Sequence, residues 1–367
     1  MSASISDTAR DQAAAAFDLA VARAPALAEF PVDRSVSPSW ITVPASWVYG
    51  LLASAYHRRF DKMQIFRAPV PVISVGNLAV GGTGKTPCVI ALAKIICEME
   101  PRLAGPNQIA VLSRGYGRAS SDLVEVQPDA DYLLCGDEPL LIKRALPNLA
   151  VVVNADRVRA AKYAALELGS KLLLLDDGFQ HRRLARDLDL VLMDGLHPLG
   201  NGRVLPAGPL REPANGLRRA TAVVGVGASA AGAAELARQM GKPCVAAQVR
   251  TILPVELSTD LSTPVWVVTS IARPSRFLSA LRKSDVNVLG IDVFGDHHRF
   301  SAGEIARVCA SGREAGARAL LTTKKDAIRM PREWGSLPVW AADAAFEFAD
   351  SRAIQTLLWP WTSRALG

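Results

Sequence analysis

The chain is poor in cysteine: Cys88, Cys97, Cys135, Cys244 and Cys309 are its only five, and no two of them form a C-x-x-C pair. An odd, scattered set excludes a disulfide framework and a structural zinc site, and it fits a reducing compartment. The sequence also lacks any uninterrupted apolar run of the ~18 residues that a spanning helix needs. Its start carries Asp7, Asp11 and Asp18 where a secretory signal would be basic and then apolar, so it does not read as secreted. Internal repeats and low-complexity tracts are absent. Disorder over the whole length is excluded as well, because 50% of the residues are hydrophobic and only 21% are charged.

What is present suggests two domains, since 367 residues is more than twice the usual ~150. A net charge of +7 suits nucleotides, phospholipid headgroups or nucleic acid without choosing among them. Residues 1–35 are Ala-rich with two prolines and read as a loosely structured arm. In 36–62, Trp40, Val43, Trp47, Leu51 and Ala55 recur at helical spacing, followed by His57, Arg58, Arg59, Lys62 and Arg67. That pattern describes a basic amphipathic helix lying in a membrane interface, or else an ordinary helix packed on its own domain.

From Val70 onward apolar runs alternate with helical stretches. The runs are Val70 to Val75, Ile109 to Leu112, Ala150 to Val153, Leu172 to Leu175, Leu188 to Met193 and Thr221 to Val226; helices are expected at Pro87 to Glu98 and Asp156 to Leu168. A second block has strands at Val265 to Thr269, Val286 to Val293 and Ala319 to Thr322, with helices at Pro274 to Lys283 and Ala302 to Glu314. Such alternation predicts an α/β fold with a mostly parallel sheet covered on both faces. The expected organisation is a larger lobe over 63–230 and a smaller α/β lobe over 231–367 that closes over a nucleotide.

The chemistry centres on Ala79-Val80-Gly81-Gly82-Thr83-Gly84-Lys85-Thr86, set between a strand and a helix. Glycines let backbone N–H groups turn inward onto phosphate oxygens, and the helix N-terminus adds partial positive charge. Lys85 can reach the β and γ phosphates of ATP, and the Thr86 hydroxyl can ligate Mg²⁺. Ala79 stands where the strict G-x-x-x-x-G-K-[ST] pattern has glycine, so this is a P-loop variant. Some ninety residues on, the run from Leu172 ends in Asp176-Asp177, the acid that P-loop proteins aim at Mg²⁺. Either Asp could be the nearer one. Asp137, in Gly136-Asp137-Glu138-Pro139, and the Asp296-His297-His298 cluster are candidates for handling an acceptor proton, against a plain turn and a solvated loop. Arg114 and Arg211, in Gly/Pro-shaped loops, offer planar donor forks for phosphate, against simple solvation. Thr323-Lys324-Lys325-Asp326 matches the [NT]-K-x-D guanine clamp but lies too far from Lys85 for one compact GTPase domain, and is taken as a coincidence.

In this order the segments resemble the tetraacyldisaccharide 4′-kinase family of lipid A biosynthesis. The matching stretches begin at Arg67 (R-A-P-V-P-V-I-S-V-G-N-L-A-V-G-G-T-G-K-T-P), Ser113 (S-R-G-Y-G-R), Gly136 (G-D-E-P), Leu175 (L-D-D-G-F-Q-H), Leu205 (L-P-A-G-P-L-R-E-P), Ile271 (I-A-R-P-S-R-F), Phe294 (F-G-D-H-H-R-F) and Thr322 (T-T-K-K-D-A). Two positions depart from the usual pattern: Gly295 stands in place of proline and Lys324 in place of glutamate. The resemblance implies a P-loop NTPase-like fold and transfer of the γ-phosphate of ATP, with Mg²⁺, to the 4′-hydroxyl of a tetraacylated glucosamine disaccharide 1-phosphate. It implies that Asp137 is the base with His297 as its partner, and that Arg114, Glu138, Gln180 and Arg211 serve the substrate. It further implies peripheral or monotopic contact, through residues 40–60, with the cytoplasmic face of the inner membrane, and no nucleic acid. The rival functions are an ATP-dependent ligase or synthase with a small soluble acceptor, and a nucleotide-switched binding protein.

Overall fold

The computed structural model describes residues 42–61, 63–331 and 337–366. The arm over 1–35 and Trp40 lie outside the described residues. Two compact units emerge, and among the described residues the chain passes between them twice.

The first unit, through Val249 and again from Phe346, carries the P-loop. Its strands are β1 (Val72–Asn77), β2 (Ile109–Ser113), β3 (Val124–Glu125), β4 (Ala150–Val153), β5 (Leu172–Asp176), β6 (Leu188–Asp194), β7 (Ala222–Val226) and the first part of β8 (Cys244–Ile252). They lie in the order β8-β7-β6-β1-β5-β2-β4-β3, parallel except for β3 against β4. Every residue of β1 is buried, and β5 and β2 are likewise buried along their whole length. Strands hidden on both faces read as continuous Val/Ile/Leu runs, which is why their positions follow from the sequence. The chain leaves β1 toward β2 on one side and crosses to β6 on the other. The carboxyl ends of β1 and β5 therefore flank the switch point, where open α/β sheets place their ligands.

In the other unit, β9 (Val265–Thr269), β10 (Val288–Val293), β11 (Ala319–Thr323) and the first part of β12 (Val339–Phe348) run parallel in the order β10-β9-β11-β12. Val265 and Val267 face a core with Phe277, Leu278 and Leu281 of the helix Pro274–Lys283. Val268, one residue out of phase, faces Ile305, Val308 and Cys309 of the helix Ala302–Glu314. The period-two alternation of a strand thus gives each helix its own side of the sheet.

The join falls at Val249/Arg250, where 230 was expected, and the C-terminal residues return to the first unit. The helix Ala231–Gln239 leads into β8, which extends the P-loop sheet beside β7. The helix Ser351–Arg364 buries Ile354, Leu358 and Thr362 and packs on the helix that follows the P-loop. The stretch expected to be helical over Asp156 to Leu168 is α-helical only over Arg157–Lys162 and finishes as one π turn, Tyr163–Glu167.

The helix Thr42–Phe60, here α1, is turned inside out relative to an ordinary surface helix. Ser46, Gly50, His57 and Phe60 face the unit: the Ser46 hydroxyl donates to Val204 O at 2.7 Å and Gly50 lies against Val204. Trp47, Val48, Leu51, Leu52 and Tyr56 point outward, Trp47 and Leu51 being 67% and 68% exposed. An amphipathic helix normally buries its apolar stripe. No helix among the described residues is long and apolar enough to cross a membrane.

Candidate active site

The loop after β1 turns through Gly81 and Gly84, whose φ values of 105° and 87° suit glycine. A second helix, α2 (Lys85–Met99), starts there, and the Thr86 side chain is buried at its first turn. Asn77, the last residue of β1, braces the loop: its amide donates to Ala79 O at 2.5 Å and to Thr83 Oγ1 at 3.1 Å. Ala79 has no need of glycine's freedom. It forms an antiparallel bridge with Leu210, and Val80 N donates to Pro209 O at 2.8 Å. The L-P-A-G-P-L-R-E-P segment therefore holds the first half of the loop that the variant sequence leaves without glycine.

Asp176 ends β5 beside β1, and the next residues fold back over the P-loop strand. A Cβ on Gly76 would come within 2.5 Å of Phe179 Cβ, so glycine is what lets D-D-G-F approach. The two acids then take different roles. Asp177, at φ 53°, lies 3.8 Å from Lys85 Nζ and accepts from Arg211 Nη1 through both oxygens, at 2.9 and 3.1 Å. Burial pushes its carboxyl up, but Lys85 and Arg211 outweigh that and hold it below the usual carboxylate range. Asp176 is 2% exposed and its Oδ1 has no hydrogen-bond partner. Burial, then the charges of Glu138 and Asp177, push its carboxyl up to about 7, against the pull of Lys85 and Arg157.

Asp137 opens the helix Asp137–Ala145, here α3, after Gly136 at φ 95°. It is buried and accepts from Glu138 N at 2.8 Å. Gly136 packs on Gly115, where an added Cβ would meet Val153 at 2.4 Å and Cys135 O at 2.8 Å. The G-D-E-P and S-R-G-Y-G-R stretches are thus one packed pair of loops. Arg114 beside them is exposed. Gln180 donates to Asn77 O at 2.9 Å and to Glu212 Oε1 at 3.2 Å, so it ties the acid loop to both the P-loop strand and the Arg211 segment.

The first unit therefore gathers 79–86, Asp137, Glu138, Asp176, Asp177, Gln180 and Arg211 at the carboxyl ends of β1 and β5 and in the adjoining loops. His297 belongs to the other unit. It sits at φ 58° in the loop after β10, where its N–H donates to Ser270 O at 3.2 Å. Asp326 of T-K-K-D is fully buried and accepts from Thr269, Ser270, Thr323 and Arg329. It is committed to holding this unit together and offers nothing to guanine.

Three contributors escaped the sequence reading. Arg157 is buried, donates to Ala155 O at 3.0 Å and leaves Nε without a partner. Burial and then Arg114 pull its guanidinium down to about 10, while Asp177 and Asp176 oppose them. Its signal was N-A-D-R directly after an apolar run, with Asp156 capping the helix by accepting from Val158 N at 3.0 Å. Asn77 and Glu212 brace the loops and carry no periodic mark.

A parallel sheet, a phosphate-cradling loop with its Lys and Thr, and an acid pair that begins with a buried Asp at the end of the neighbouring strand define a P-loop protein of the phosphoryl-transfer class. Residues 38–361 match the family model described as tetraacyldisaccharide-1-P 4′-kinase, and the chain belongs to that family. It is 41% identical to the tetraacyldisaccharide 4′-kinase of Anaeromyxobacter dehalogenans over 302 residues, 76% of each protein. With the enzyme of that name from a Bradyrhizobium strain it shares 39% identity over 328 residues, 87% of this chain and 90% of that one. Among solved structures, LpxK from Aquifex aeolicus in complex with ATP superposes with a TM-score of 0.67 at 28% identity, covering 87% of this chain and 98% of the other.

Proposed function

We infer that this protein is an ATP-dependent kinase that moves the γ-phosphate of ATP to the 4′-hydroxyl of a tetraacylated glucosamine disaccharide 1-phosphate, a lipid A precursor. The observation that carries the reading is the junction of Lys85, Asp177 and Arg211 beside a buried Asp176, within a chain that matches this family from residue 38 to 361. The backbone of 79–86 and Lys85 hold the phosphates. Arg211 and Arg157 add positive charge around the acid pair, in keeping with a reaction that depends on positioning and charge neutralisation.

Mg²⁺ fits the residues present. Among the described residues no cluster of three or more His, Cys, Asp or Glu could form a metal cage. A hydroxyl and one carboxylate, completed by phosphate oxygens and water, is the usual Mg²⁺ set. Thr86 and Asp176 would supply it, since the unpartnered Asp176 Oδ1 has an open position while Asp177 is held by cations. The metal would neutralise charge on the β and γ phosphates.

Asp137 takes the proton of the sugar hydroxyl, with His297 as its partner in catalysis. The outward apolar face of α1 meets the membrane surface, where a lipid acceptor must be collected, and its basic end suits anionic headgroups. The enzyme works at the cytoplasmic face of the inner membrane, where ATP is found.

The test is incubation with γ-labelled ATP or GTP, Mg²⁺ and the lipid disaccharide in mixed micelles. Label should pass from ATP to lipid, should need Mg²⁺, and should not pass appreciably from GTP. Label transferred only to small soluble acceptors would support a ligase or synthase instead.

A further inference from the structure

T-K-K-D is a motif that nucleotide binding does not absorb, and its position gives it another use. β9 and β11 are parallel neighbours, so their carboxyl ends, Thr269-Ser270 and Thr322-Thr323, come together. The helical turn Lys324–Ala327 begins at Thr323, whose hydroxyl accepts from Asp326 N at 3.1 Å. Asp326 is thereby placed among three hydroxyls: Thr269 and Thr323 donate to Oδ2 at 2.9 Å each, and Ser270 donates to Oδ1 at 2.7 Å. Arg329, one turn on and 3% exposed, completes the set and also donates to Ser270 Oγ at 3.0 Å.

The same guanidinium reaches the proposed catalytic loop. Arg329 Nη1 lies 3.2 Å from His297 Nδ1. His297 is held at a left-handed φ by its own N–H on Ser270 O, and Phe294 N donates to Thr269 O at 2.8 Å. The loop carrying His297 and the buried pair are therefore registered on the same two residues, Thr269 at the end of β9 and Ser270 just after it.

An arginine side chain has five donors and no acceptor. A hydrogen bond between it and an imidazole nitrogen therefore has one polarity, with the nitrogen accepting through its lone pair. We propose that Asp326 and Arg329 are positioning residues that lock His297 in the tautomer protonated at Nε2. Asp326 fixes Arg329, Arg329 occupies Nδ1, and the ring presents only an N–H from Nε2, whose charged neighbour within the loop is Asp296 at 3.9 Å.

This rests on the reading of His297 as the partner of Asp137, and it sharpens the division of labour between them. A ring with Nδ1 engaged and Nε2 already protonated can donate to a carboxylate but cannot store the acceptor's proton. As the hydroxyl oxygen bonds to the γ-phosphorus and the bond to the β-γ bridging oxygen breaks, with its electron pair leaving on ADP, the hydroxyl proton ends on Asp137.

The test is the ¹⁵N spectrum of the full-length protein labelled at histidine, recorded without substrate, with His297 assigned by its loss in His297→Gln. The expected spectrum shows a protonated Nε2 and an unprotonated Nδ1 for His297, retained in Arg329→Lys and scrambled between tautomers in Arg329→Met. Arg329→Met should also lower kcat about tenfold while leaving KM for ATP unchanged. A wild-type ring protonated at Nδ1, or a tautomer unmoved in Arg329→Met, would overturn the proposal. If Arg329→Met does not fold, the wild-type and Arg329→Lys spectra still decide. Failure of the kinase reading would show separately, as wild-type protein that does not phosphorylate the lipid.

Discussion

His57 Nε2 lies 3.4 Å from Glu212 Oε2, and this contact joins the helix with the exposed indole to the segment that carries Arg211. Glu212 is 1% exposed and also accepts from Arg219 at 2.8 Å through each oxygen. Nearby, Tyr49 Oη donates to Arg211 O at 2.9 Å. The polar face of α1 is thus fastened to the nucleotide unit, and its apolar face is left outside.

That arrangement predicts what happens when the outward face is made polar. Trp47 and Leu51 are 67% and 68% exposed, so Trp47→Ser with Leu51→Ser removes little packing. Each side chain buried in a bilayer interface is worth roughly 1.5–3 kcal/mol. The double variant should leave vesicles and show a higher apparent KM for the lipid, with ATP affinity and thermal midpoint nearly unchanged. High salt should release the wild type only partly, because the apolar contribution is not screened. Flotation assays and isothermal titration with ATP measure both halves. Loss of folding in the double variant would mean that the stripe stabilises the domain.

Lys85→Ala should lower kcat by on the order of 10²–10³-fold, as for removal of one preorganised charge that meets the transition state. The protein should stay folded by circular dichroism, because Lys85 Nζ contacts a carboxylate at 3.8 Å rather than the core. Near-wild-type turnover would take the P-loop out of the mechanism.

Asp137→Asn keeps the shape and the acceptor for Glu138 N but cannot take a proton. Its kcat should fall by roughly 10²-fold or more while ATP affinity holds. His297→Ala should also slow turnover. If the two act as one unit, the double variant loses less than the sum of the single losses in free energy, as stopped-flow or steady-state rates will show. Fully additive losses would separate them.

A pH effect on stability should trace to His181. Burial and then the charge of Arg157 pull its imidazole from 6.5 down to about 4, and Nε2 has no partner. The unfolded chain therefore binds the proton more readily, so this residue costs nothing above the unfolded value and removes stability as pH falls from about 6.5 to about 4. The loss from this one group reaches about 2 kcal/mol at pH 5. His181→Gln should lose correspondingly less stability between pH 7.5 and pH 5 in urea titrations. An equal loss in both proteins would contradict the assignment.

The strands β1, β2, β4, β5, β6 and β7 were readable because burial on both faces leaves unbroken apolar runs. β8 and β12 were not, because the second half of β8 alternates between partial and full exposure, β12 is mostly half-buried, and the chain changes unit within each. The same weakness moved the expected join to 230. The site was legible wherever chemistry needs a fixed spacing, as in G-G-T-G-K-T and the paired acids. Arg157, Asn77 and Glu212 were hidden because a single Arg, Asn or Glu acquires its meaning only from the loops folded around it. Arg329 was hidden likewise, although Asp326 beside it was noticed for the wrong reason.

The most direct test of the central claim is where the phosphate goes. The purified protein, ATP, Mg²⁺ and the tetraacylated disaccharide 1-phosphate should yield a product with a second phosphorus resonance coupled, in a ³¹P–¹H correlation spectrum, to the proton at C4′. The account predicts that coupling and its disappearance with Asp137→Asn. A new phosphate coupled to any other ring proton, or ATP consumed with only free phosphate formed, would contradict it.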